Sequence, residues 1–222
     1  MFVAETLGPS LGEQIEKGVT ILRRGGIVVY PTDTLYGMGV DAFCEEALEC
    51  VFAAKGRPLG MPLPLLLGSI SELQLVTDKI TPTLEALAER FWPGPLTLVL
   101  AAGKSVPSLV TARGWTVAIR IPNHPVALEL VRRFGGPITG TSANRSGSAN
   151  PSNIDVARRE IGPYVDLVID GGPIPKGQAS TILDISGPVP RILREGLISE
   201  ADIQRACPNL SNVPPLGLTN QE

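Results

Sequence analysis

Between Arg90 and Ile154 the chain carries seven cations (Arg90, Lys104, Arg113, Arg120, Arg132, Arg133 and Arg145) against one carboxylate, Glu129. A local surplus of that size suits an anionic ligand, although each cation taken alone is equally a solvated charge balanced across space. Arg120 stands apart. It lies in Val117-Ala118-Ile119-Arg120-Ile121-Pro122, where alternation puts Val117, Ile119 and Ile121 on one face and Ala118 and Arg120 on the other. A guanidinium in such a strand is costly unless it is hydrated or paired with an acid, a phosphate or a carboxylate.

Three segments that read as loops concentrate small polar or cationic groups. Pro31-Thr32-Asp33-Thr34-Leu35-Tyr36-Gly37 offers hydroxyls to a bound anion, and Gly37 would let a ligand approach the backbone; a capped turn is the alternative. Lys55-Gly56-Arg57-Pro58 places two cations two residues apart, enough to clamp a phosphate chain or simply to complement a helix end. Thr139 to Gly147 (Thr-Gly-Thr-Ser-Ala-Asn-Arg-Ser-Gly) could form a phosphate nest or a plain loop. It is neither a Walker A loop nor a dinucleotide fingerprint. Asp33 and Asp184 are the carboxylates to consider as a catalytic pair, with nothing in the sequence to show that they meet. Asp170-Gly171-Gly172 reads as a turn.

The elements that must position these groups follow from periodicity. Helices are predicted over 10–24 (with Ser10 at its start), 44–54, from Thr81-Pro82 through Phe91, 125–134 and 199–207. Strands are predicted at 27–30, 96–101, 116–121, 166–170, 180–185 and 189–193. Their irregular alternation predicts an α/β chain of the α+β type, a mixed sheet with helices packed on it. Residues 1–207 read as one domain and 208–222 as a flexible tail. The 222 residues include 19 Lys+Arg and 22 Asp+Glu, for a formal charge of −3, and 43% are hydrophobic. That composition suits a globular chain. Only 5% are aromatic, which argues against a base-stacking platform. One histidine and three scattered cysteines cannot build a zinc site of ordinary spacing, and a Ser-His-Asp or Cys-His enzyme would have to run through His124 alone. No protein metal site is predicted, and any divalent ion would arrive on a nucleotide's phosphates, as Mg²⁺ does. The cysteines read as reduced thiols, and with no secretory signal and no apolar run of membrane length a cytoplasmic location is expected.

Seven short blocks, in order, carry a resemblance. They are Pro31-Thr-Asp-Thr-Leu-Tyr-Gly37, Lys55-Gly-Arg-Pro58, Trp92-Pro-Gly-Pro-Leu-Thr97, Val117-Ala-Ile-Arg-Ile-Pro122, Thr141-Ser-Ala-Asn144, Ser180-Thr-Ile182 and Leu193-Arg-Glu-Gly196. The chain resembles the YrdC-like family of L-threonylcarbamoyladenylate synthases, in its short form, over about residues 10–206. The resemblance implies a twisted mixed sheet flanked by helices, with a concave basic cavity. It also implies a nucleotidyltransferase activity: ATP, L-threonine and bicarbonate giving threonylcarbamoyl-AMP and pyrophosphate, with a separate enzyme transferring the threonylcarbamoyl group to tRNA.

By the same resemblance, Thr34, Arg120, Gly140 and Ser180 would contact threonine. Lys55, Arg57, Ser142 and Asn144 would hold the nucleotide phosphates and carry catalysis, with Thr116, Ser152 and Arg194 also on the nucleotide. Mg²⁺ would come with ATP. Where longer relatives have an Asn and a His after Lys-x-Arg-Pro, this chain has Met61 and Leu66, so those two contacts are missing. Two alternatives remain at this point: an RNA-binding module of the same fold without synthase activity, and a carbamoyl-transfer module. The acidic pI of about 5.3 is unlike that of a strong phosphate-backbone binder.

Overall fold

The computed structural model describes residues 9–148, 150–174 and 177–206. Its strands are β1 (Val28–Pro31), β2 (Tyr36–Gly39), β3 (Leu65–Leu66), β4 (Leu96–Ala101), β5 (Thr116–Arg120), β6 (Ile138–Thr139), β7 (Thr141–Ser142), β8 (Leu167–Val168), β9 (Thr181–Asp184) and β10 (Arg191–Arg194). The helices are α1 (Pro9–Leu22), α2 (Glu45–Lys55), α3 (Leu73–Val76), α4 (Pro82–Phe91), α5 (Pro125–Phe134), α6 (Ile154–Ile161) and α7 (Glu200–Ala206). Four strands form one sheet in the order β7-β2-β1-β8, and six form the other in the order β10-β9-β4-β5-β3-β6. Both contain parallel and antiparallel pairs. The expected mixed α/β architecture is therefore present, with the strands divided between two sheets.

Local chemistry explains the elements that frame the site. Thr81 accepts a hydrogen bond from the Leu84 N–H at 3.2 Å, and Pro82 opens α4. His124 does the same for α5, its Nδ1 accepting from the Val126 N–H at 3.3 Å. The lone histidine is thus a helix cap. Burial lowers its pKa, opposed by the charge of Asp33, which keeps Nδ1 available as an acceptor. Gly56, in the left-handed region, closes α2 immediately after Lys55.

The core has two parts. The larger gathers side chains such as Tyr36, Met38, Leu48, Phe52, Leu65, Leu98 and Ile119. The smaller packs α1 and α5 over β1 through Ile15, Leu22, Val28, Tyr30, Leu130 and Ile138. Among the described residues no helix is long and apolar enough to cross a membrane.

Several expectations need correction. The segment 31–37 is not a loop throughout: Tyr36 and Gly37 begin β2, which folds back antiparallel on β1 with Tyr30 opposite Gly37. The space over Gly37 is occupied by protein, since a Cβ there would lie 2.9 Å from the Tyr30 ring. Gly37 therefore admits that ring rather than a ligand. The segment 139–147 is likewise not one loop. Thr139 ends β6 in the six-stranded sheet and Thr141 begins β7 in the four-stranded sheet, with Gly140 alone between them. Helix α6 was not predicted at all. The predicted tail and Cys207 lie outside the described residues.

Candidate functional site

The first cluster forms around Lys55. As the last residue of α2 it points inward and is only 2% exposed. Its Nζ donates to the main-chain carbonyls of Ser142, in a very short contact, and of Asn144 at 2.7 Å. The Ser142 hydroxyl donates to Asn144 Oδ1 at 2.6 Å, and the Asn144 amide donates to the Ser148 carbonyl at 2.7 Å. One ammonium hydrogen and one amide hydrogen remain uncommitted. Among the described residues no carboxylate pairs with Lys55. Burial, and then the like charge of Arg57, push its pKa down to about 7. Arg57 is turned onto its own loop, donating from Nη2 to the Pro62 carbonyl at 2.8 Å and from Nε to that of Met61 at 3.4 Å. Burial lowers its pKa as well.

The second cluster is built on Arg120, at the end of β5 and 6% exposed. Its guanidinium makes three hydrogen bonds: Nε to the Gly94 carbonyl at 2.8 Å, Nη1 to Thr34 Oγ1 at 2.8 Å, and Nη2 to Asp33 Oδ1 in a very short contact. Asp33 Oδ1 also accepts from the Asn123 N–H at 3.0 Å. The counter-charge that the apolar strand demanded is therefore Asp33. Asp184 is engaged elsewhere, capping its own turn through the N–H and hydroxyl of Ser186, so the two candidate carboxylates have separate partners and form no pair. Burial lowers the Arg120 pKa and Asp33 opposes that fall.

Ser180 and Arg194 border this cluster. Ser180 Oγ lies 2.9 Å from Thr97 Oγ1, and Arg194 donates to the Ser180 carbonyl at 2.9 Å and to its hydroxyl at 3.3 Å. A bulge in β10 after Ile192 re-aims Arg194, which pairs with Ile182. Partial burial, and then the charge of Arg120, lower the Arg194 pKa. Two guanidiniums thus sense each other across a region containing one carboxylate.

The clusters lie on adjoining segments. Ser142 pairs with Gly37 across β7 and β2, three residues along the chain from Thr34. Gly140 N–H is committed to the Pro64 carbonyl at 2.7 Å. Thr116 sits opposite Ala101 at the end of β5 away from Arg120. Ser152 is exposed in the segment before α6, with its Cβ against Gly177. Among the described residues no hydrogen bond joins Thr116 or Ser152 to either cluster. Two surface hollows of about 380 and 600 Å³ lie elsewhere, and no predicted site residue lines them. Sequence reasoning missed Thr32, Thr97, Gly94 and the link from Asp33 to Arg120. The available signal was the unmet charge requirement of Arg120 together with the acid inside the Pro31–Gly37 block.

The Sua5/YciO/YrdC family, described as telomere recombination, matches residues 20–196. A threonylcarbamoyl-AMP synthase of Pyrococcus abyssi is 38% identical over 83% of this chain and 54% of its own length. A putative threonylcarbamoyl-AMP synthase of Mycobacterium tuberculosis is 38% identical over 89% of this chain and 92% of its own. The chain thus spans about half of the first relative and nearly all of the second. The crystal structure of P. abyssi Sua5 complexed with L-threonine superposes with a TM-score of 0.86 at 36% identity, covering 88% of this chain and 58% of that one. This chain belongs to the Sua5/YciO/YrdC family.

Proposed function

We propose that this member of the family is a threonylcarbamoyl-AMP synthase, a cytoplasmic nucleotidyltransferase whose catalytic domain is residues 1–207. It would take ATP, L-threonine and bicarbonate and release threonylcarbamoyl-AMP and pyrophosphate. A separate enzyme would pass the threonylcarbamoyl group to tRNA. The observation that carries this reading is the difference in charge balance between two adjoining clusters. Arg120 with Asp33 is a cation already matched by an anion, which suits a zwitterionic amino acid. Lys55 beside Arg57 is a pair of buried cations with no acid in contact, which suits a polyphosphate.

In this reading Thr34, Arg120 and Ser180 hold threonine, with Gly140 shaping the wall between the clusters. Lys55, Arg57, Ser142 and Asn144 hold the phosphates; Thr116, Ser152 and Arg194 complete the nucleotide side. Among the described residues no group of three or more His, Cys, Asp or Glu could cage a metal, so Mg²⁺ is assigned to the nucleotide's own phosphates, where it would supply further charge neutralisation. The amine of threonine adds to bicarbonate with loss of water, giving a carbamate. A carbamate oxygen then attacks the α-phosphorus, and the bond to the β-phosphate breaks with pyrophosphate as leaving group. No side chain becomes a covalent nucleophile. The chain acts by orienting the carbamate in line and by neutralising charge through Lys55 and Arg57.

The test is incorporation of labelled bicarbonate into an adenylate by the purified protein with ATP and Mg²⁺, with and without L-threonine. Threonine-dependent product with matching pyrophosphate release is expected. Folded, ATP-binding protein that makes no product under these conditions would overturn the assignment.

A further inference from the structure

Beside the Arg120 cluster lies one atom that its hydrogen-bond network does not use. Asp33 Oδ1 serves both Arg120 Nη2 and the Asn123 N–H, whereas Asp33 Oδ2 is buried with no hydrogen-bond partner among the described residues. A buried carboxylate oxygen without a donor is unfavourable and rare. The Asp33 side chain keeps 14% of its surface exposed, so a small group can reach this carboxylate from outside.

Donor accounting around it fixes the direction of the neighbouring hydrogen bonds. Thr32 Oγ1 lies 2.6 Å from the Leu35 carbonyl, an oxygen that can only accept, so the Thr32 hydroxyl hydrogen is committed there. Thr34 Oγ1 lies 2.9 Å from Thr32 Oγ1. Thr34 must therefore be the donor of that bond. With its hydrogen spent, Thr34 Oγ1 can only accept, and it does so from Arg120 Nη1 at 2.8 Å with one lone pair left over. Arg120 has five N–H groups, three of which go to Gly94, Thr34 and Asp33. Two donors on the guanidinium thus stand beside two vacant acceptors, Thr34 Oγ1 and Asp33 Oδ2.

We propose that this is a polarised cradle for an α-amino acid, in which Asp33 Oδ2 and Thr34 Oγ1 receive the α-ammonium while the remaining Arg120 N–H groups take the α-carboxylate. The assignment rests on the threonine reading above and adds Asp33 to it as a substrate-contacting residue. It also gives Thr34 a definite polarity: that hydroxyl faces the substrate's ammonium and does not donate to its carboxylate. Discrimination then follows from charge. A carboxylate ligand lacking the ammonium leaves Asp33 unpartnered and adds an anion beside it.

The experiment is calorimetric titration of the full chain with L-threonine and with 3-hydroxybutanoate of matching configuration, which is threonine with hydrogen in place of the ammonium. Wild-type protein should prefer threonine by about 100-fold or more, the range for a site whose buried polar group loses its partner. Asp33→Asn should erase at least tenfold of that preference while binding 3-hydroxybutanoate within about threefold of wild type. A purely structural role for Asp33, holding Arg120 in place, would weaken both ligands in parallel, and that result would overturn the proposal. So would a wild-type protein that binds the two equally, a comparison that does not depend on the variant folding. Wild-type protein that binds neither ligand would refute the threonine reading itself, and the cradle with it.

Discussion

Lys55 and Arg120 are both buried cations at the ends of regular elements, yet the protein treats them in opposite ways. Arg120 meets a carboxylate, a hydroxyl and a carbonyl, and its charge is matched inside the fold. Lys55 meets only neutral carbonyls, and its charge is left uncompensated. A matched cation can orient a ligand of zero net charge without strong attraction for every passing anion. An unmatched one is held in a state that a polyanion relieves, because the anion supplies the field that burial removed. The two clusters are thus preset for ligands of different net charge.

The sharpest way to break that comparison is Lys55→Ala. Adenylate formation should fall by roughly 100- to 1,000-fold, the scale for removing one charge stabiliser from an active site, with circular dichroism unchanged. Near-normal turnover by the folded variant would remove Lys55 from the phosphate site. Arg120→Ala should act on stability as well as on threonine binding, because it strands the buried Asp33 carboxylate. A loss of about 3–5 kcal/mol in urea unfolding is expected, more than for Lys55→Ala, which strands no charge. Equal losses would mean that the two cations are compensated alike.

The clusters should also differ in their response to pH. With the Lys55 pKa near 7, nucleotide phosphates bind best to the protonated form, so affinity should fall by up to about tenfold per pH unit above 7, with proton uptake on binding. Threonine binding at Arg120 should show no such step near pH 7. The same shift acts on stability. The folded pKa of Lys55 lies below its ordinary value of 10.5, so the unfolded chain binds more protons between about pH 7 and 10.5. Its contribution to stability therefore rises with pH across that window, and the difference in unfolding free energy between wild type and Lys55→Met should carry this slope. The smallest effect expected is that of Thr32→Val, which frees the Thr34 hydroxyl hydrogen. A loss of about 1 kcal/mol, near fivefold in threonine affinity with nucleotide affinity unchanged, would confirm that the Thr32–Thr34 chain belongs to one cluster only.

How much of this was legible depended on whether the determinant was local. The apolar run Leu96–Ala101, the Thr81-Pro82 cap and the stripe of α1 announce themselves within a few residues, and those elements form where the pattern puts them to within two residues. The strands β3, β6 and β7 have two residues each, too few for any period, and exist because distant partners complete their ladders. The site divides in the same way. That Arg120 needed a counter-charge was readable from its strand neighbours. That Asp33, 87 residues earlier, would supply it was not, since the fold and not the spacing brings them together. The arrangement of Lys55 against Ser142 and Asn144 was accessible only through the resemblance of short blocks, because carbonyl oxygens leave no trace in residue type.

The junction at Gly140 has a further consequence, for tolerance of length change. One residue separates the last position of a strand in the six-stranded sheet from the first position of a strand in the four-stranded sheet, and a Cβ there would lie 2.6 Å from Leu66 Cγ. Strand side chains alternate with a period of two, so adding or deleting one residue would turn Ser142 to the opposite face of its sheet. The chain can lengthen in its surface loops with little penalty. At this point it has no slack, and an insertion or deletion here would move one cluster relative to the other before any side chain in either had changed.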